Sequence, residues 1–288
     1  FISSPLRYPG GKSKLTDFVS HTLEINSIKN SIYCEPFCGG AGVAINLLLK
    51  NKVDKIILND YDIGIYSFWK AVLDDTERLV QKIVSTKITI QDRNNQRQIY
   101  NELSKKREYS LDLAFATLFL NRTSVSGIIR GGVIGGKDQK GKYKIGDRFN
   151  KEKILEKINR IAALKDKIEL FNLDCSELIN TYLKNYTDKN NLFIFFDPPY
   201  YKQGKNLYTN FFTHQDHENL GLAIKNMDEY FWILTYDHAP EILEIYKKNN
   251  PKKYMLQYSA NIKTMSTELF FCSPRTIVES FGEVEFEE

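Results

Sequence analysis

Short apolar runs recur along the chain at 31–34, 55–58, 168–171, 192–196 and 230–235. Each is bounded by polar or turn-forming residues, the pattern of short strands buried on both faces. Periodic, helix-like segments lie between some of them, at 41–50 and 215–225. Strand and helix in alternation predict an α/β fold whose mostly parallel sheet is covered by helices on both faces. Near the end, 254–259 and 268–272 read as two more strands. The polar stretch 260–267 between them predicts an antiparallel hairpin at the sheet edge.

The middle of the chain has another rhythm. Residues 67–84 and 97–106 carry helical spacing in a polar setting, and 111–120 is apolar enough to be a buried helix. The segment 127–146 then holds glycines at 127, 131, 132, 135, 136, 141 and 146, too many for a stable helix. It reads as a loop or hairpin studded with cations. These features predict two units: a sheet-bearing domain from 1–62 and 166–288, and an inserted, mostly helical domain at 63–165.

Composition changes this picture little. Of 288 residues 42% are hydrophobic and 26% charged, as expected of a folded domain. No apolar run approaches the roughly 20 residues of a membrane span, and the first residues lack the basic-then-apolar pattern of a signal peptide. A cytoplasmic protein that meets no membrane is the expectation. The cysteines at 34, 38, 175 and 272 match no zinc-binding spacing and read as reduced thiols, with no metal expected.

Charge distribution says more than the net +4. Between residues 121 and 160 stand eleven basic side chains and four acidic ones, and the last ten residues hold five glutamates and no base. A basic stretch of this kind suits a one-sided surface for a polyanion, although a solvated loop could carry the same charges.

Three motifs carry chemistry. Asp197-Pro198-Pro199-Tyr200 directly follows the run 192–196, so it stands where a buried strand ends, the edge at which open parallel sheets bind ligands. The prolines hold the backbone extended. The Asp197 carboxylate and the Pro198 carbonyl are then two acceptors, a match for an amine with two hydrogens, and the Tyr200 ring can cover a flat base. Glu35-Pro36-Phe37-Cys38-Gly39-Gly40-Ala41-Gly42 follows the first strand run. Glycine there lets backbone approach a ligand closely. The spacing is not that of a dinucleotide fingerprint. Asp60, at the end of the second run, is placed to hold ribose hydroxyls. Arg7-Tyr8-Pro9-Gly10-Gly11-Lys12 lacks the first glycine of a phosphate-binding loop and reads as a loop that closes over a small ligand.

In this order and together, the three motifs resemble the Dam-like DNA adenine N6-methyltransferases of the alpha group, over nearly the whole chain. Asn121-Arg122-Thr123 looks like that group's motif ahead of a basic recognition segment, and Arg148-Phe149-Asn150 like its close. Asn172-Leu173-Asp174, the spaced Tyr208, Phe211, His217 and Leu220, Leu234-Thr235-Tyr236-Asp237 and Glu268-Leu269 match further family positions. Ser124-Val125-Ser126-Gly127 departs from the family's usual aromatic and asparagine, so no target sequence is implied. Cys175 stands where close relatives carry Phe.

The resemblance implies a Rossmann-like methyltransferase that moves a methyl group from S-adenosylmethionine to adenine N6 in a short duplex motif, with the base flipped out and S-adenosylhomocysteine as product. It implies catalysis by Asp197, Pro198, Pro199 and Tyr200. Cofactor contacts would come from Tyr8, Gly11, Lys12, Glu35, Phe37, Gly39, Gly42, Asp60, Asp174 and Asp197, with Lys12 reaching the methionine carboxylate. DNA contacts would come from Arg122, Thr123, Arg130, Lys137, Lys140, Lys142, Lys144 and Arg148. It further implies a nucleoid-associated protein of bacterial or phage origin, a monomer or weak dimer, with a restriction endonuclease as an allowed partner. The competing readings are methylation of cytosine N4 or of RNA, and a DNA-binding relative without turnover.

Overall fold

The computed structural model describes residues 4–7, 12–202, 212–259 and 263–287; between 256 and 266 it describes only backbone. The sheet strands are β1 Ile32–Glu35, β2 Lys55–Asn59, β3 Ile168–Phe171, β4 Leu192–Phe196, β5 Phe231–Asp237, β6 Lys252–Ser259 and β7 Lys263–Cys272. Their spatial order is β3-β2-β1-β4-β5-β7-β6. The first five run parallel, while β7 is antiparallel to both β5 and β6. The chain therefore winds outward from β1 to β3, returns to the middle and winds the other way from β4. The reversal falls between β1 and β4, the position where sheets of this kind open a crevice for a ligand.

Every residue of β4 and β5 is buried, because both faces are covered. Successive side chains of a strand point to opposite faces. Phe193, Phe195 and Ile233 thus join one apolar cluster with Phe18 and Val19 of α1 (Thr16–Ile25) and Ile45 of α2 (Gly42–Leu49). Ile194, Phe196, Trp232 and Leu234 join the other. That second cluster includes Leu178 of α8 (Cys175–Thr181), Leu220 of α9 (His214–Lys225) and Ile242 of α10 (Pro240–Ile245).

Between β2 and β3 the chain forms α3 (Ile63–Asp74), α4 (Thr76–Ser85), α5 (Ile90–Leu103), α6 (Leu111–Thr123) and α7 (Lys151–Ala162). Phe68, Trp69, Leu113, Phe119 and Ile158 belong to the same buried cluster as Phe193, so these helices share a continuous core with one face of the sheet.

Three details differ from the sequence expectation. The helical spacing at 67–84 is cut at Asp75, whose carboxylate takes the Tyr109 hydroxyl and Arg78. The glycine-rich segment forms turns rather than a strand hairpin. Its only bridge among the described residues joins Ser124 to Val133. The edge strands run further than their apolar cores, with 263–267 already in β7, because ladder bonds are made by backbone and tolerate polar side chains.

Candidate functional site

The carboxyl ends of β1, β2, β4 and β5 lie side by side and deliver the motifs to one place. After β1 the chain turns sharply through Gly39 (φ +44°) and Ala41 (φ +47°), both left-handed. Neighbours hold this turn. The Cys38 amide donates to the Asn59 carbonyl (2.9 Å), the Gly39 amide to Asp60 Oδ2 (2.8 Å) and the Trp69 indole to the Gly39 carbonyl (2.9 Å). A Cβ on Gly42 would sit 3.0 Å from that of Ser13, so glycine lets the turn after Lys12 approach α2.

Glu35 ends β1 beneath this loop. Its Oε1 accepts from the Tyr33 hydroxyl (3.1 Å) and from the Ala44 amide in the first turn of α2 (2.9 Å). Burial, with Asp197 across the crevice, still pushes its carboxyl up to about 8. Asp60, at the rim, is pushed up to about 7 by desolvation and by Asp62. Asn59 stitches two loops together, donating to the carbonyls of Pro36 (2.9 Å) and Leu173 (3.0 Å) and accepting the Leu173 amide (2.9 Å). Asn172 donates to the Asp60 carbonyl (2.7 Å), and Asp174 caps α8 through the Ser176 amide (2.9 Å). Phe37 meets the edge of Phe212 with centroids 5.8 Å apart.

At the end of β4, Asp197 Oδ1 accepts the Thr235 hydroxyl from β5 (2.7 Å). Desolvation raises the Asp197 carboxyl, and Lys12 opposes the rise. The Lys12 ammonium lies 3.6 Å from Asp197 Oδ1, 3.1 Å from Glu268 Oε2 and 4.7 Å from the centroid of the Tyr200 ring. It also donates to the Tyr200 hydroxyl, which in turn donates to Glu268. The backbone after Tyr200 is tied down by Asp237, which accepts the amides of Tyr201 and Lys202 (both 2.8 Å). Behind it the His217 ring bonds Tyr236 (2.8 Å), and burial lowers its pKa to about 4. This arrangement offers acceptors and an aromatic ring to a polar planar group, facing a glycine loop with the buried Glu35 carboxyl and the half-buried Asp60 carboxyl.

The D12 class N6 adenine-specific DNA methyltransferase model matches residues 8–264. The chain belongs to this family. Membership implies use of S-adenosylmethionine and a DNA substrate. A curated relative is the Type II methyltransferase M.MjaIII of Methanocaldococcus jannaschii, 24% identical over 208 residues that make up 68% of each chain. Among solved structures, the rRNA methyltransferase aviRa of Streptomyces viridochromogenes is 10% identical at a TM-score of 0.37, covering 93% of this chain and 88% of its own. An uncharacterized protein from Listeria monocytogenes serotype 4b is 8% identical at 0.36, covering 91% and 70%.

For this D12 methyltransferase the expected site residues fall into three groups. Lys12, Glu35, Phe37, Gly39, Gly42, Asp60 and the Asp197–Tyr200 motif gather at the switch of the sheet, with Asp174 at the rim. The Lys12 ammonium stands with Asp197 and Tyr200. Tyr8, Gly11, Tyr208 and Phe211 lie outside the described residues. Among the DNA candidates, Arg130, Lys137, Lys140, Lys142, Lys144 and Arg148 are exposed. Arg122 is half-buried, donating to the Pro5 carbonyl (2.6 Å) and the Arg148 carbonyl (3.4 Å). Thr123 is fully buried and its hydroxyl donates to Phe119 O (2.7 Å), so in this fold it presents nothing to DNA. Its neighbour Asn121 clamps Arg7 N (2.8 Å) and the carbonyls of Arg7 (2.6 Å) and Gly127 (2.9 Å).

Sequence reasoning matched Glu268 to a family position but gave it no role in the site, and it passed over Asn59, Arg93 and Arg97. Arg93 donates to Ser124 Oγ (3.0 Å) and Gly131 O (2.8 Å), bracing the turn at 124–131 from α5. Its i,i+4 spacing from Arg97 on a polar helix was a visible but unread signal.

Proposed function

We propose that this D12 methyltransferase transfers a methyl group from S-adenosylmethionine to the N6 amine of an adenine flipped out of a short duplex motif. The observation that carries the reading is the meeting, at one switch point, of Asp197 and Tyr200 with the glycine loop and the carboxyls of Glu35 and Asp60. Burial raises all three carboxyls. Such groups gain from a ligand that brings positive charge or hydrogen-bond donors. S-adenosylmethionine brings a sulfonium, an ammonium and ribose hydroxyls, and it supplies a methyl group on an excellent leaving group. The residues present therefore fit it: the loop Phe37–Gly42 and Glu35 for the methionine end, Asp60 for the ribose, and Leu173–Asp174 beside the adenine.

The chain's own task is alignment. Asp197 and the Pro198 carbonyl accept the two amine hydrogens, favouring a nitrogen whose lone pair points at the methyl carbon. Tyr200 covers the face of the base, and stacking of this kind returns about 1–3 kcal/mol of the few spent on unstacking. Residues 63–165 act as the recognition insertion. The exposed cations from Arg130 to Arg148 take up phosphates, with some reading base edges.

The test is base-resolved modification mapping. Express the chain and its Asp197→Ala variant in a host free of DNA methylation, then sequence the host DNA. N6-methyladenine in one short motif, absent with the variant, is the expected result. Unmodified DNA from a folded, cofactor-binding wild type would refute this reading.

A further inference from the structure

Glu268 occupies an unusual place for a carboxylate. It sits on β7 opposite Asp237 of β5 and Tyr254 of β6, and it is 1% exposed. Alternation along β7 puts Phe270 on its face of the sheet, among Phe18, Tyr254 and Phe193. An apolar residue would fill such a position without the several kcal/mol that burying a charge costs. The carboxylate instead collects three donors. Tyr254 donates to Oε2 (2.5 Å), Tyr200 donates to Oε1, and the Lys12 ammonium lies 3.1 Å from Oε2 and 3.4 Å from Oε1.

Lys12 has a second anion within reach, Asp197 Oδ1, at 3.6 Å. The two carboxylates compete for one cation, and the distances favour Glu268. The competition matters because Asp197 has another client. A cation bound tightly to Asp197 would take the acceptor that an incoming amine needs.

We propose that Glu268 is a positioning residue for methyl transfer: it holds the Lys12 ammonium back from Asp197, keeping that carboxylate available to the amine, and fixes the Tyr200 ring by its hydroxyl. This rests on the adenine-methylating reading of the site. A purely architectural Glu268, tying the turn after Lys12 to the edge strands, would make a different prediction. Its loss would loosen the fold and affect cofactor binding, DNA binding and rate together, whatever stands at position 12.

A double-mutant cycle separates the two. Single-turnover methylation of the wild-type motif is measured for the wild type, Glu268→Gln, Lys12→Met and the double variant, with cofactor affinity and melting temperature alongside. Glu268→Gln keeps the shape and one of the two hydroxyl acceptors but removes the charge. It slows the transfer step by about tenfold, while cofactor and DNA affinity stay within about twofold. In the Lys12→Met background the same change costs less than about twofold, because no ammonium is left to collapse onto Asp197. Should Glu268→Gln fail to fold, Glu268→Asp keeps the charge but retracts it, and it carries the same pair of expectations. An unchanged rate in Glu268→Gln, or an equal cost in both backgrounds, overturns the inference while leaving the adenine reading intact. A wild type that methylates no DNA overturns both.

Discussion

The switch point and the helical segment between β2 and β3 handle positive charge in opposite ways. At the switch point Lys12 is enclosed by Asp197, Glu268 and the Tyr200 hydroxyl. In that segment arginines face arginines, and Arg7 of the N-terminal part joins them. Burial and Arg148 lower the pKa of Arg7, and burial with Arg7 lowers Arg122 to about 10. Burial, Arg93 and Arg130 lower Arg97 to about 10. Among the described residues none of these arginines makes an ion pair with a carboxylate, and their hydrogen bonds go to backbone carbonyls and the Ser124 hydroxyl. The first region is arranged for a small polar group within a closed set of charges. The second carries unspent cationic charge, the condition of a surface that meets a polyanion. The same contrast predicts which substitutions act on rate and which on DNA affinity.

The largest effect belongs to the closed set. Asp197→Ala removes the amine acceptor and leaves Lys12 with Glu268. Transfer falls by on the order of 10²–10⁴-fold, the range for losing a group that handles the reacting hydrogens, while DNA affinity at fixed salt changes little. Rapid-quench methylation assays and a binding titration on one preparation check this. A comparable loss in affinity would break the division between the regions.

A second substitution strikes where the regions join. Gly127 has φ +78°, and a Cβ there would lie 2.2 Å from the Arg7 carbonyl, the group that Asn121 also holds. Gly127→Ala must strain the turn or push Arg7 aside, at about 1–3 kcal/mol. The melting temperature falls, and, on the proposed role of residues 63–165, DNA binding suffers more than cofactor binding because the turn at 124–131 shifts first. Equal losses of both would show that the joint acts on the whole core.

How far the sequence spoke follows the same line. The runs 192–196 and 230–235 announced central strands because burial on both faces leaves an uninterrupted apolar string. The Asp197 motif and the glycine loop were legible because each is contiguous and stands at a strand end. Glu268 lies 68 positions from Tyr200 and 256 from Lys12, and no local spacing records a contact at that range. Asn59 was hidden for the same reason: its partners are backbone groups of two other loops. The break at Asp75 left the helical rhythm intact on both sides, so periodicity had nothing to report. Arg122 and Thr123 carried the residue types of a DNA contact, but burial is a tertiary property that composition does not show.

The next effect concerns pH at the cofactor side. Glu35 and Asp60 have folded values of about 8 and about 7, above their ordinary 4.5 and 3.8. The free fold therefore favours their protonated forms. The stability they contribute is complete below the ordinary carboxylate range and is lost as pH climbs through 7 and 8. A cationic, donor-rich cofactor favours the ionised forms instead, so binding releases protons. S-adenosylmethionine affinity rises by about tenfold between pH 6 and pH 8. Calorimetry in buffers of different ionisation heat detects the released proton, and Glu35→Gln flattens the profile. A flat profile in the wild type would mean that the cofactor leaves both carboxyls as they are.

The smallest effect sharpens the other side of the comparison. Lys140 is exposed in the glycine-rich segment, beside Lys137 and Lys142. A cation that neutralises one phosphate adds about 0.9 to the slope of log affinity against log salt. Lys140→Ala should lower that slope by about this amount and weaken binding by only a few fold at physiological salt. It should do so for any duplex sequence, with single-turnover rate at saturating DNA unchanged. A loss confined to the methylated motif would instead make Lys140 a reader of base edges. An unchanged slope would place this part of the segment off the DNA, leaving the polyanion surface to the arginines around Arg7 and Arg130.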